Sequence, residues 1–165
     1  IFFDFRSIYG KSEFVKELRD YVNQLAASKQ MFFYHMAQAN LRFKMVSQSL
    51  SGTLDIKQAL HPMVGFMRLY AFKENLVCTN TIERLEQLHK LNIIHDGAYI
   101  EWLQSYNFMM YLRLKHQSEQ ILANEKPDNI IDLDQLSEID KAGLKRVLGE
   151  VKNVQTKIGL DFNIS

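Results

Sequence analysis

Between Asp96 and Ala123 the chain carries a run that any fold it adopts must enclose. Trp102, Leu103, Tyr106, Met109, Met110, Leu112 and Leu114 recur at helical spacing and spread around most of the circumference. A helix apolar on most sides is stable only with other elements packed round it, so this segment predicts the middle of a helical bundle. The rest of the chain offers mostly helices to surround it.

Phe14, Val15, Leu18, Val22 and Leu25 recur at three and four from Ser12 to about Ser28, with Ser12 as the expected N-cap. A second helix is expected from Gln30 to Lys44, with Phe33, Met36, Ala37 and Leu41 on one face. "MVSQSLSGTLDIKQALH" breaks the period and reads as a loop holding an extended piece from Leu54 to Lys57. His61-Pro62 then opens a third helix, Pro being favoured at a first helical position, with Met63, Phe66, Met67, Tyr70 and Ala71 inward and an end near Asn75. Asn80 and Glu83 have capping-box spacing for a short helix ending near Asn92. After the long helix, "NEKPDNIIDLDQ" reads as a loop. Ser137 and Asp140 cap a last helix whose seam is Leu144, Val147, Leu148, Val151, Val154 and Ile158.

The exception is the start. "IFFDFRSIYG" has strand-forming phenylalanines, an interrupting Asp4 and a Gly10 turn, yet no partner strand follows it. The expected fold class is therefore all-α, a bundle of about six helices with a short extended N-terminal segment. The expected domains are 1–10, a remnant of something preceding, and 11–165, the helical unit. The chain reads as a piece of a longer polypeptide.

The bulk numbers restrict the function. A formal net charge of +1 over 165 residues, with mixed signs, lacks the basic stripe of a nucleic-acid binder. Cys78 is the one cysteine, so no disulfide framework or CxxC metal knuckle exists, and a reducing, cytoplasmic setting is expected. No stretch of about twenty residues is free of charge, so no membrane span is expected. The histidines form no HExxH, and neither a glycine-rich phosphate loop nor GxSxG occurs. Cys78 has no neighbouring His or Lys in sequence and is expected to be an inert thiol. A complete catalytic constellation is missing.

Candidate binding residues remain. Arg113, His116, Gln117 and Gln120 fall at i, i+3, i+4 and i+7 on the long helix. They form either a solvated or structural hydrogen-bonding stripe, or one wall of a groove between helices. Arg68 sits among Met63, Val64, Phe66, Met67, Leu69 and Tyr70 and is expected to be buried against a carboxylate or a ligand anion. Asp55 and Glu83 are its expected internal partners, and Arg68 and Arg113 are expected to meet at the long helix. Asp55 and Lys57 point the same way if Leu54 to Lys57 is extended. Arg84 follows Glu83 in "TIERLEQL".

"DIKQALHPMVGFMRLYAF", "TNTIERLEQL", "YLRLKHQ" and "PDNIIDLDQLSEIDKAGLK", in that order, resemble the nucleotidyltransferase substrate-binding domain family. The resemblance covers nearly the whole chain. It implies an all-helical domain that follows a catalytic domain similar to that of PII-uridylyltransferase, distantly similar to glutamine synthetase adenylyltransferase. CBS pairs or a cyclic-nucleotide-binding domain often lie further upstream. It also implies a role for "FDF": the last catalytic strand in such enzymes has the form apolar-Asp-apolar, and Asp4 would supply the third carboxylate of a metal site built elsewhere. In the intact protein, carboxylate-held Mg²⁺ ions would orient a nucleoside triphosphate for attack by an acceptor hydroxyl. Asp55, Lys57, Arg68, Arg84, Arg113, His116 and Gln117 are then the candidate substrate-binding residues, and this chain alone is expected to transfer nothing. Expected partners are the nucleotide, its protein or small-molecule acceptor and upstream sensor domains, with no nucleic acid and no membrane. The alternative is a docking module that couples those sensors to a partner. The chain departs from the family at Lys115, where a second Arg is common, and at Glu125-Lys126, where a Gly is usual.

Overall fold

The structure, a computed structural model, describes residues 5–29, 31–42 and 51–164. Within them lie α1 (Ser12–Ala27), α2 (Phe32–Leu41), β1 (Thr53–Asp55), α3 (Ile56–Lys73), α4 (Thr81–Lys90), α5 (Asp96–Leu122), β2 (Ile130–Asp132), a 3-10 turn (Leu133–Gln135) and α6 (Glu138–Asp161). The fold is predominantly helical, as the sequence predicts.

The hub is α3, not the long helix. It packs on α2, α4, α5 and α6 and buries Ile56, Ala59, Leu60, Met63, Phe66, Met67, Leu69, Tyr70 and Ala71. Phe66 stacks on Tyr70, with centroids 4.1 Å apart, and meets Trp102 edge-on at 4.9 Å. The expectation for α5 fails on length: 27 residues span about 40 Å, longer than the core they line. It buries only Trp102, Ser105, Met109 and Leu112, while Leu114, Ile121 and Leu122 near its far end are exposed.

Local signals explain the boundaries. Asp55 caps α3, its carboxylate accepting both from Gln58 N–H at 3.0 Å and from Gln58 Nε2 at 3.0 Å. This cap starts the helix six residues before Pro62, which is therefore inside α3 and not at its first position. Lys57 is thus helical, and it does not share an extended face with Asp55. Asn80 Oδ1 accepts from Ile82 and Glu83 N–H at 2.9 and 3.2 Å, and Ser137 Oγ from Asp140 N–H at 3.1 Å. Ser12 is the first residue of α1 and Lys11 its N-cap. The expected limits Gln30 and Lys44 of α2 lie outside the described residues.

Four helices stop the same way. Asn75, Asn92, Asn124 and Asn163 have φ of 56°, 58°, 57° and 50°. The N–H of the next residue donates five positions back in each case: Leu76 to Ala71 O at 2.8 Å, Ile93 to Leu88 O at 3.0 Å, Glu125 to Gln120 O at 2.8 Å and Ile164 to Gly159 O at 2.9 Å. Asparagine tolerates the left-handed conformation that this termination requires.

β1 and β2 pair antiparallel, Thr53 with Asp132, Leu54 with Ile131 and Asp55 with Ile130. Two short strands are marginal alone, but Ile131 and Leu133 are buried in the core. The segment expected to be a loop therefore carries a strand. Residues 5–10 are irregular, Phe5 is half-buried, and Ile1 to Asp4 lie outside the described residues.

Close approach of α2 to α3 depends on Gly65, where an added Cβ would land on the buried Asn40 side chain. Asn40 Nδ2 donates to Met36 O at 3.0 Å, so it cannot turn aside without losing that bond. Gly65→Ala should lower stability by about 1–3 kcal/mol in urea unfolding. Gly149→Ala, at an exposed position of α6 where a Cβ meets nothing within 4 Å, should be neutral or stabilising by roughly 0.5–1 kcal/mol.

Candidate functional site

The polar stripe of α5 closes on the loop before β2. Arg113 Nε donates to Asn129 Oδ1 at 2.8 Å, and Gln117 Nε2 donates to Asp128 O at 3.0 Å and Asn129 Oδ1 at 3.3 Å. His116 Nε2 lies 2.9 Å from Asp128 Oδ1, and Gln120 Oε1 accepts from Asp128 N–H at 2.9 Å. Asn129 O in turn accepts from Ile56 N–H at 2.9 Å, at the first residue of α3. The stripe is therefore a clasp: it fixes a two-residue loop that registers β2 on β1 and anchors the start of the hub helix. The hydrogen bond with His116, followed by that from Ile130 N–H, holds Asp128 below the usual carboxylate range.

Arg68 is elsewhere. It is exposed rather than buried, and it lies twelve residues along α3 from Ile56, roughly 18 Å away. Arg68 and Arg113 accordingly do not meet. Of the two expected anionic partners, Asp55 is engaged by Gln58 at the α3 cap, with Lys57 exposed on the first turn beside it, and Glu83 lies in the wall of an open cleft with Arg19. The misreading has a simple cause. Its neighbours Met67 and Leu69 are fully buried, but helical geometry turns consecutive residues about 100° apart, so an arginine between core residues can still reach solvent.

What Arg68 does join is a second group of arginines. Arg19 of α1, Arg68 of α3 and Arg84 of α4 line one small cavity with Phe5, Asn23 and Phe72. Its volume of about 20 Å³ has room for one water or one ligand oxygen. Arg84 is 3% exposed and donates Nε to Cys78 O at 3.0 Å. Arg19 Nη2 donates to Phe5 O at 3.1 Å, with its guanidinium 5.3 Å above the Phe5 ring. Asn23 Oδ1 is buried and accepts no hydrogen bond among the described residues. Arg19 is also part of the wall of an adjoining open cleft of about 830 Å³, with Arg6, Lys16, Cys78, Thr79 and Glu83. That volume lies within the range of small-molecule sites. Burial, with Glu83 adding to it, pushes the Cys78 thiol up, which keeps it protonated and suits an inert wall residue.

Three guanidiniums bring three positive charges to one cavity, with Arg84 Nε and Arg19 Nη2 donating to backbone carbonyls beside it. Such a cluster is chemically suited to a carboxylate or phosphoryl oxygen. Sequence reasoning found Arg68 and Arg84 but missed Arg19 and Asn23. Both lie on α1, and only the tertiary fold brings them to α3 and α4. Asp4, the expected catalytic carboxylate, lies outside the described residues. Among the described residues no group of three His, Cys, Asp or Glu side chains could hold a metal ion, and no helix is long and apolar enough to cross a membrane.

A family profile described as "Putative nucleotidyltransferase substrate binding domain" matches residues 30–162. The chain belongs to this family. The matched range takes in α2 to α6, and with them Asp55, Lys57, Arg68, Arg84, Arg113, His116 and Gln117. α1, which brings Arg19 and Asn23 to the cavity of this substrate-binding domain, precedes it. No curated protein matches the chain.

The clasp is testable apart from any ligand. Asn129→Ala removes the acceptor shared by Arg113 and Gln117 and should cost about 1–3 kcal/mol in urea unfolding. Asp128 has a depressed folded pKa, so its contribution is present above the unfolded value near 3.8 and is lost as pH falls through the folded value. Asp128→Asn should therefore lower the urea midpoint at neutral pH, and the gap to wild type should close as pH drops below about 4.

Proposed function

We propose that this domain binds the anionic substrate of a nucleotidyltransferase through the arginine cavity, with the rest of the ligand in the adjoining cleft. The single observation behind this reading is the convergence of Arg19, Arg68 and Arg84 from three different helices on one cavity. The cavity admits one oxygen, so the reading assigns it the tip of a phosphate or carboxylate, and the cleft of about 830 Å³ the remainder.

In this reading the transfer is uridylyl- or adenylyl-like and uses Mg²⁺ held by a catalytic domain outside this chain. Among the described residues the carboxylates do not gather to hold a metal, and this domain's part is binding and orientation. Asp4 keeps the proposed role of a carboxylate contributed to that catalytic site. Asp55 caps α3 beside the clasp, so it and Arg113, His116 and Gln117 act here by fixing the start of the hub helix, and Lys57 stays exposed next to them. The docking reading, in which sensor domains such as CBS pairs act through this module, draws its support from that internally bonded stripe. The arginine cavity favours binding.

Isothermal titration of the chain with UTP, ATP and inorganic pyrophosphate tests the proposal. A charged hydrogen bond is worth about 1.5–3 kcal/mol, so Arg68→Ala and Arg19→Ala should each weaken binding roughly tenfold or more. Arg113→Ala should leave the affinity unchanged. Arg68 is exposed, so its substitution should hardly move Tm. Equal affinity for the Arg68, Arg19 and wild-type proteins, or no binding of any of the three probes, would contradict the proposal.

A further inference from the structure

On α1, Phe14, Leu18, Tyr21 and Leu25 are 66%, 50%, 63% and 47% exposed. Their 4-3-4 spacing places them within about 60° of one another around the helix, and it is the a/d spacing of a coiled-coil seam. The opposite side of α1 already has its place: Ala26 is buried, and Arg19 and Asn23 face the cavity. The exposed stripe is therefore a second, independent face.

We propose that this face pairs antiparallel with α1 of a second copy of the chain. The argument is self-complementarity. An antiparallel pair centred between Arg19 and Asp20 sets Phe14 against Leu25 of the other copy and Leu18 against its Tyr21. Each layer then joins one aromatic to one leucine, the large-against-small arrangement that fills a helix interface, and the two-fold axis closes the assembly at two copies. The flanking positions agree with this register. Val15 meets Val22 and Glu17 meets Gln24, so no like charges face each other. A parallel pair would instead stack Phe14 on Phe14 and Tyr21 on Tyr21.

Area sets the strength. The four side chains expose on the order of 400 Å² per copy, about half of one partner's share in a standard interface. The pair is therefore weak and concentration-dependent. An anionic lipid surface fits this helix less well, because α1 carries three acids (Glu13, Glu17, Asp20) against two bases (Lys16, Arg19).

Sedimentation velocity from low micromolar to near-millimolar protein should show a monomer–dimer equilibrium. Leu18→Glu, at a position already half-exposed, should leave the circular dichroism spectrum intact and abolish the dimer. Orientation is read by oxidation in a Cys78→Ser background. Phe14→Cys and Leu25→Cys chains should cross-link when mixed, and neither should do so alone. A wild-type chain monomeric at every concentration, a dimer that survives Leu18→Glu, or cross-linking of Phe14→Cys with itself would each overturn the proposal.

Discussion

The structure depends on enclosing α3. From Pro62 to Ala71 the helix presents one exposed residue, Arg68, and every other position is buried or half-buried. A helix so uniformly apolar has to be wrapped by α2, α4, α5 and α6. Gly65 and the buried Ala59 and Ala71 let those neighbours come close. Tyr70 adds a polar tie, its hydroxyl donating to Asp161 of α6. Burial, with that hydrogen bond adding to it, holds the phenol far above its ordinary value. Arg68, the exposed position within this stretch, is fixed by the packing on both sides of it, since Met67 and Leu69 are fully buried.

The two ends of α3 divide the polar chemistry of the domain. At its start, Arg113, His116 and Gln117 hold Asp128 and Asn129, and through Asn129 the first N–H of the helix. These groups satisfy one another and give the fold its register. Toward the other end, Arg19, Arg68 and Arg84 bring positive charge into one cavity beside an open cleft. Rigid helices position all three arginines, and such support gives a binding site its precision.

Much of this was legible in the sequence, and the misses share a cause. Asn80 and Ser137 announce helix starts because capping is local chemistry. Asn75 and Asn92 mark stops for the same reason, and the seam from Leu144 to Ile158 identifies α6 by its period alone. Pro62 misled because the Asp55–Gln58 cap upstream outweighs it. Ile130 to Asp132 reads as loop because a three-residue strand takes its identity from a partner more than seventy residues away. Arg68 reads as buried from its neighbours, whereas helical rotation turns it outward. Arg19 carries no local signal at all. Its role arises only when α1 lies against α3 and α4, and its own helix otherwise reads as one more amphipathic segment.

The central claim is that anion recognition resides at Arg19, Arg68 and Arg84 and that the α5 stripe is structural. The most direct measurement is the NMR response of the arginine Nε–Hε signals as a nucleoside triphosphate is added to the chain. The account predicts that the signals of Arg19, Arg68 and Arg84 move together along one saturable curve while that of Arg113, bonded to Asn129, stays in place. Movement of Arg113 with the other three unchanged would contradict it.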